Sequence, residues 1–207
     1  MLVALLVVSS AIGAPLRVDE AIETLSTCDD FQKESCRFAA AWLGMGGDAA
    51  LPKVLESAPG MTAIGQILTV SVVSANTSSA ATDTLGRLAL DQRVGSSARG
   101  MALDQFVTRV RSDKKAKSSL GIAIQLAAAE DAEIRAGAVR LLASKSSSRD
   151  KKVIAALQTA ARDSDPNVRV EAIAGFATCK CKEAGEVLKR ALDDPDLNVR
   201  RTAQANQ

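Results

Sequence analysis

The sequence predicts an all-α fold, an α-solenoid of about six antiparallel helical hairpins. Three observations carry this. A helix-start pattern, Asp-x-x-Ile/Val-Arg with an Ala three residues after the Arg, recurs at Asp131–Ala138, Asp165–Ala172 and Asp196–Ala203. Its arginines, Arg135, Arg169 and Arg200, are 34 and 31 residues apart, the length of one helical hairpin. The 207 residues are 47% hydrophobic but only 2% aromatic, so the core must be built from Ala, Leu, Val and Ile, side chains small enough to let helices approach closely.

Each position of the pattern has a physical role. The Asp is an N-cap that accepts hydrogen bonds from the free amides of the first turn. Pro166 follows Asp165 at the first helical position, where its missing N–H is harmless. The Ile or Val faces inward, and the Ala permits close contact with a neighbouring helix. The Arg lies four residues after the Asp and can reach that Asp or one in the adjoining repeat.

Taken in chain order, Met1–Leu16 carry no charged side chain. The apolar run Leu2–Val8, followed by small residues to Ala14, reads as a signal peptide over residues 1–14, cleaved after Ala14 or Ala11. It is shorter than the roughly 20 residues of a membrane span. The expectation is export, to the periplasm or the exterior, with the repeat domain over 17–207. First helices of the hairpins are expected near 18–27, 48–57, 79–90, 115–128, 150–161 and 183–192. Second helices are expected to start near 31, 60, 96, 132, 166 and 197. Breakers separate them: Gly46-Gly47, Pro59-Gly60, Ser78-Ser79, Ser146–Ser148 and Pro195. Near Ser97–Ala102 the motif is degenerate, with Gly95 where the Asp would stand.

The segments Asp165–Ala174 (DPNVRVEAIA) and Asp193–Ala203 (DDPDLNVRRTA) resemble HEAT repeats, specifically the short HEAT-like repeats also found in phycobilisome lyases. The resemblance is clearest over 130–207. It implies a non-catalytic protein-binding scaffold or adaptor, in a bacterial envelope given the leader. It also implies an alternative, a lyase-like or chromophore-attachment accessory protein.

Composition weighs against chemistry. There is no His, the commonest general base and neutral metal ligand. The sequence offers no nucleophile–base pair, Gly-rich phosphate loop or metal-ligand cluster, so no catalytic residue, metal or cofactor is assigned. Net charge is +2, and with so few aromatics for base stacking, a nucleic-acid or other polyanion partner is a secondary alternative. The last repeat is not followed by a polar capping helix, and the two expectations are self-association at the C-terminal end or a truncated chain.

Four cysteines allow three pairings. In a linear solenoid the first and fifth hairpins lie too far apart for a disulfide, leaving Cys28–Cys36 and Cys179–Cys181. A bridge from Cys28 to Cys36 requires a non-helical turn near 28–30; two buried free thiols are the alternative. Cys179-Lys-Cys181 can close only in a bent loop.

Charge follows the register. Turns within hairpins four to six are acidic: Glu130, Asp131, Glu133, Asp163, Asp165, Asp193, Asp194 and Asp196. Turns between hairpins are basic: Arg109, Arg111, Lys114, Lys115 and Lys117, then Lys145, Arg149, Lys151 and Lys152, then Lys180 and Lys182. The two turn classes fall on opposite edges of a solenoid. Caps explain the acidic edge, but lysines ahead of a helix start sit where the helix dipole disfavours cations. The basic edge, at Lys114, Lys115, Lys117, Lys145, Arg149, Lys151 and Lys152, is therefore a candidate site for an acidic protein segment or, less favoured, a membrane surface.

Overall fold

The structure, a computed structural model, describes residues 17–112, 117–145 and 150–206. The leader reading over 1–14 lies outside these. Twelve α-helices form six hairpins among the described residues, with no strand. They are α1 (Val18–Ser26) and α2 (Glu34–Met45); α3 (Leu51–Ser57) and α4 (Ala63–Ala75); α5 (Ser79–Leu90) and α6 (Ser96–Ser112). The remaining three are α7 (Lys117–Leu126) and α8 (Ala132–Ser144); α9 (Lys151–Ala160) and α10 (Pro166–Thr178); α11 (Ala184–Ala191) and α12 (Leu197–Gln204).

The C-terminal starts are written by the motif. Asp131, Asp165 and Asp196 each accept hydrogen bonds from the amides two and three residues on. Val168, Ala172, Val199 and Ala203 are buried as the pattern requires. Earlier starts use other caps: Thr62 accepts the Gly65 amide ahead of α4, and Ser78 accepts the Ala81 amide ahead of α5.

Three helix starts differ from the expectation, one of them α4, which begins at Ala63 behind its Thr62 cap rather than near 60. The second helix of hairpin one begins at Glu34, not near 31, because the Asp30 carboxylate takes the Gln32 amide in a local turn that delays the helix. The first helix of hairpin two is only Leu51–Ser57, because 3₁₀ turns over Gly47–Ala50 and Ala58–Gly60 bracket it. Gly47 opens the first of these at φ +53°, a conformation that favours glycine.

Consecutive second helices pack along the whole array, α2 on α4, α4 on α6, α6 on α8, α8 on α10 and α10 on α12. Apart from α5 on α7, the first helices are spaced more loosely, and α7 and α9 touch only lightly. The tighter row is the inner arc, so the second helices line the concave face. A continuous core of Ala, Leu, Val and Ile runs between the rows, with Phe106 and Phe176 its largest members. Close approach is set by small residues: a Cβ at Gly65 would lie 2.0 Å from the Leu25 carbonyl oxygen of α1.

Candidate functional site

The edge formed by turns within hairpins carries a ladder of ion pairs. Arg99 donates to Asp131 at 2.7 Å. Arg135 donates through Nε and Nη2 to both carboxylate oxygens of Asp163, each at 2.8 Å. Arg169 does the same to Asp194 at 2.9 and 2.8 Å. Every rung joins one hairpin to the turn of the next. The same arginines also tie down their own turns, Nη1 of Arg135 donating to the Ala129 and Glu130 carbonyls and Nη1 of Arg169 to those of Asp163 and Ser164. Arg200 makes the equivalent bonds to the Asp194 and Pro195 carbonyls.

The acceptor in the last two rungs is not the capping Asp but the one two residues before it. Asp163 and Asp194 also accept the amides of Asp165 and Asp196. The sequence signal is an Asp-x-Asp spacing, Asp163-Ser-Asp165 and Asp194-Pro-Asp196, missed when each Asp is read only as a cap. Where Ala129 stands at the outer position, Arg99 turns to the capping Asp131 itself. The Arg169 guanidinium holds the Asp194 carboxyl below its usual range. At Asp163 burial pushes the other way, but hydrogen bonds from Arg135 and the Asp165 amide outweigh it.

The opposite edge, between hairpins, is different. Lys151 and Lys152 are the first two residues of α9, both exposed, behind the capping Asp150. Lys180 and Lys182 are exposed in the turn from α10 to α11. None of these four forms an ion pair among the described residues. Lys145 follows α8 as its C-cap, its Nζ 3.4 Å from the Arg111 carbonyl oxygen. Lys117 opens α7. Lys114, Lys115 and Arg149 lie outside the described residues.

Arg109 does not belong with this edge. Its guanidinium turns inward and donates to the Asn76 and Ser74 carbonyls, closing the C-terminal end of α4. Burial lowers its pKa. Gln66, on α4, is a second polar residue that the sequence hid inside an apolar run. It is 5% exposed, donates to the Ala58 and Met61 carbonyls, and accepts the Gly95 amide at 2.8 Å, so it clamps hairpin two to hairpin three.

The concave face changes character along its length. α4 has no charged residue, and its outward side carries Ile64, Ile67, Leu68 and Ser71. Further on the face is charged, with Asp104 on α6 and an Arg140–Glu171 pair bridging α8 and α10 at 2.8 Å. Two shallow, open depressions, of about 460 and 650 Å³, hold acids already engaged: Asp91 by Arg93, and Asp48 by Asn76 and Ser78. The described residues contain no group of three or more Cys, Asp or Glu placed to hold a metal ion.

Cys28 and Cys36 are joined, with Cα atoms 5.9 Å apart across the non-helical turn. Cys179 and Cys181 are joined as well, with Cα atoms 5.2 Å apart.

Hairpins stacked in register, stapled by a repeat-to-repeat Arg–Asp ladder, define an α-solenoid repeat protein. Residues 121–206 match the family model described as HEAT repeats, so this C-terminal part of the chain is similar to HEAT repeats. Among solved structures the chain is similar to a computationally designed armadillo repeat protein for modular peptide recognition, at 16% identity and a TM-score of 0.52, over 92% of this chain and 98% of that one. It is also similar to an engineered protein at 18% identity and a TM-score of 0.50, over 90% and 93% of the two chains. At such identities the likeness is one of fold. No curated protein matches the chain in sequence.

Proposed function

We propose that this chain is a non-catalytic protein-binding scaffold that works outside the cytoplasm of a bacterium and takes an acidic segment of its partner along the basic edge. One observation carries the reading, the unequal use of charge on the two edges. Asp131, Asp163 and Asp194 are neutralised by Arg99, Arg135 and Arg169 within the fold. Lys151, Lys152, Lys180 and Lys182 are exposed and have no carboxylate partner among the described residues. Lys151 and Lys152 also stand at a helix N-terminus, where a cation is unfavourable by about 0.3–1 kcal/mol. A fold gains nothing by that placement, whereas an acidic ligand does. The fold shared with a designed peptide-recognition protein supports a polypeptide as ligand. Two disulfides and the apolar leader support an oxidising compartment.

Fluorescence anisotropy with a short Asp/Glu-rich peptide tests the site. Binding should weaken steeply with salt, and Lys151→Glu with Lys152→Glu should weaken it by about tenfold, ~1.4 kcal/mol. Equal binding by the double variant, or a preference for duplex DNA or phosphatidylserine vesicles over the peptide, refutes the reading. N-terminal sequencing of the mature protein tests export, which an intact Met1 would contradict.

A further inference from the structure

The two disulfides differ in what they do for the fold. Cys28–Cys36 closes a loop across a non-helical turn between two helices, and both residues are 1% exposed. Cys179–Cys181 spans a single residue. A bridge that closes so short a loop removes little freedom from the unfolded chain. Nor does the turn depend on it. The Cys179 amide donates to the Gly175 and Phe176 carbonyls as the C-cap of α10, and the Ala184 amide donates to the Cys181 carbonyl as α11 begins. This disulfide is also the more open one, with Cys179 8% exposed and Cys181 only partly buried. Lys180 lies between the two cysteines and Lys182 follows, both exposed and without an ion pair among the described residues, while Glu183 is the next carboxylate along the chain. Cations beside a sulfur draw in an attacking thiolate and stabilise the departing one.

We propose that Cys179-Lys180-Cys181 is a thiol–disulfide exchange site, activated by Lys180 and Lys182, that accepts two electrons from small-molecule thiols. A thiolate attacks Sγ of Cys181, the less buried of the two residues, and forms a mixed disulfide. The Cys179–Cys181 bond breaks, its electron pair goes to Sγ of Cys179, and that sulfur takes a proton from water. A second thiolate attacks the small-molecule sulfur of the mixed disulfide and releases Cys181 as a thiolate, which is protonated in turn. The protein disulfide becomes two thiols, and two thiols become one small disulfide.

The test uses the full chain in buffers of reduced and oxidised glutathione, with acid quenching, alkylation and peptide mapping, beside circular dichroism. Cys179–Cys181 should open as the buffer becomes more reducing while Cys28–Cys36 stays closed and the helical signal is unchanged. The rate of opening should fall about fivefold at 0.1 M salt in the Lys180→Glu, Lys182→Glu variant and be retained in Lys180→Arg, Lys182→Arg. The proposal is overturned if Cys179–Cys181 opens only when the helices melt, if Cys28–Cys36 opens as readily, or if charge reversal leaves the rate unchanged.

Discussion

Replacing Arg169 with Met separates the ladder from ordinary capping. The guanidinium makes four hydrogen bonds, two to the Asp194 carboxylate and two to the carbonyls of Asp163 and Ser164. Both side chains of the pair are 12% exposed. Breaking a buried pair from one side costs about 3–5 kcal/mol, because the remaining charge is left without its partner. Asp194 keeps the Asp196 amide and some contact with water, which places the expected loss near the lower end, about 3 kcal/mol. Arg200→Met is the internal control. Arg200 makes the same two carbonyl bonds but no ion pair among the described residues, so its loss should cost about 1 kcal/mol. Arg169 joins hairpin five to hairpin six, and in a repeat array such a loss acts on the neighbouring unit. Native-state hydrogen exchange of the α11 and α12 amides is the assay. Arg169→Met should speed their exchange by about a hundredfold while α8 changes little. A loss below about 1 kcal/mol, or one equal to that of Arg200→Met, refutes the view that the ladder couples the repeats.

Other consequences follow from the same contacts. The depressed carboxyls of Asp163 and Asp194 contribute stability that is fully present above the unfolded value of about 3.9 and is lost as pH falls through their folded values. The urea midpoint should therefore stay level from neutral pH to about 4 and drop below it, the drop shrinking in the Arg135→Met, Arg169→Met variant. Gln66→Leu should cost about 2–3 kcal/mol in urea unfolding, since it strips partners from the Gly95 amide and two buried carbonyls. Gly65→Ala should cost about 1–3 kcal/mol, because the new methyl meets the α1 backbone and forces α4 away. Removing both Cys28 and Cys36 should cost about 2–3 kcal/mol, the entropy of a short closed loop.

What was legible in the sequence was legible for local reasons. Asp131, Asp165 and Asp196 write their own helix starts, because an Asp carboxylate at that position satisfies amides two and three residues on. That located the last three hairpins and the edge formed by the turns within them. The N-terminal half was harder to read, since Thr62 and Ser78 cap less distinctively and the turn at Asp30 displaces α2 by three residues. The ladder was half visible. The arginines stood out, but their acceptors Asp163 and Asp194 are set by how one hairpin stacks on the next, which one hairpin's sequence does not show. The inward turn of Arg109 was hidden for the same reason, since its partners lie in hairpin two, and so was the reach of Gln66 to the Gly95 amide of hairpin three.

The proposal that the basic edge is the binding surface is most directly tested by an NMR titration of isotopically labelled protein with the Asp/Glu-rich peptide. The account predicts amide shift changes concentrated at Lys145, Lys151, Lys152, Lys180 and Lys182, along the edge between hairpins. Changes centred instead on Ile64, Leu68 and Asp104 would place the ligand on the concave face and contradict it.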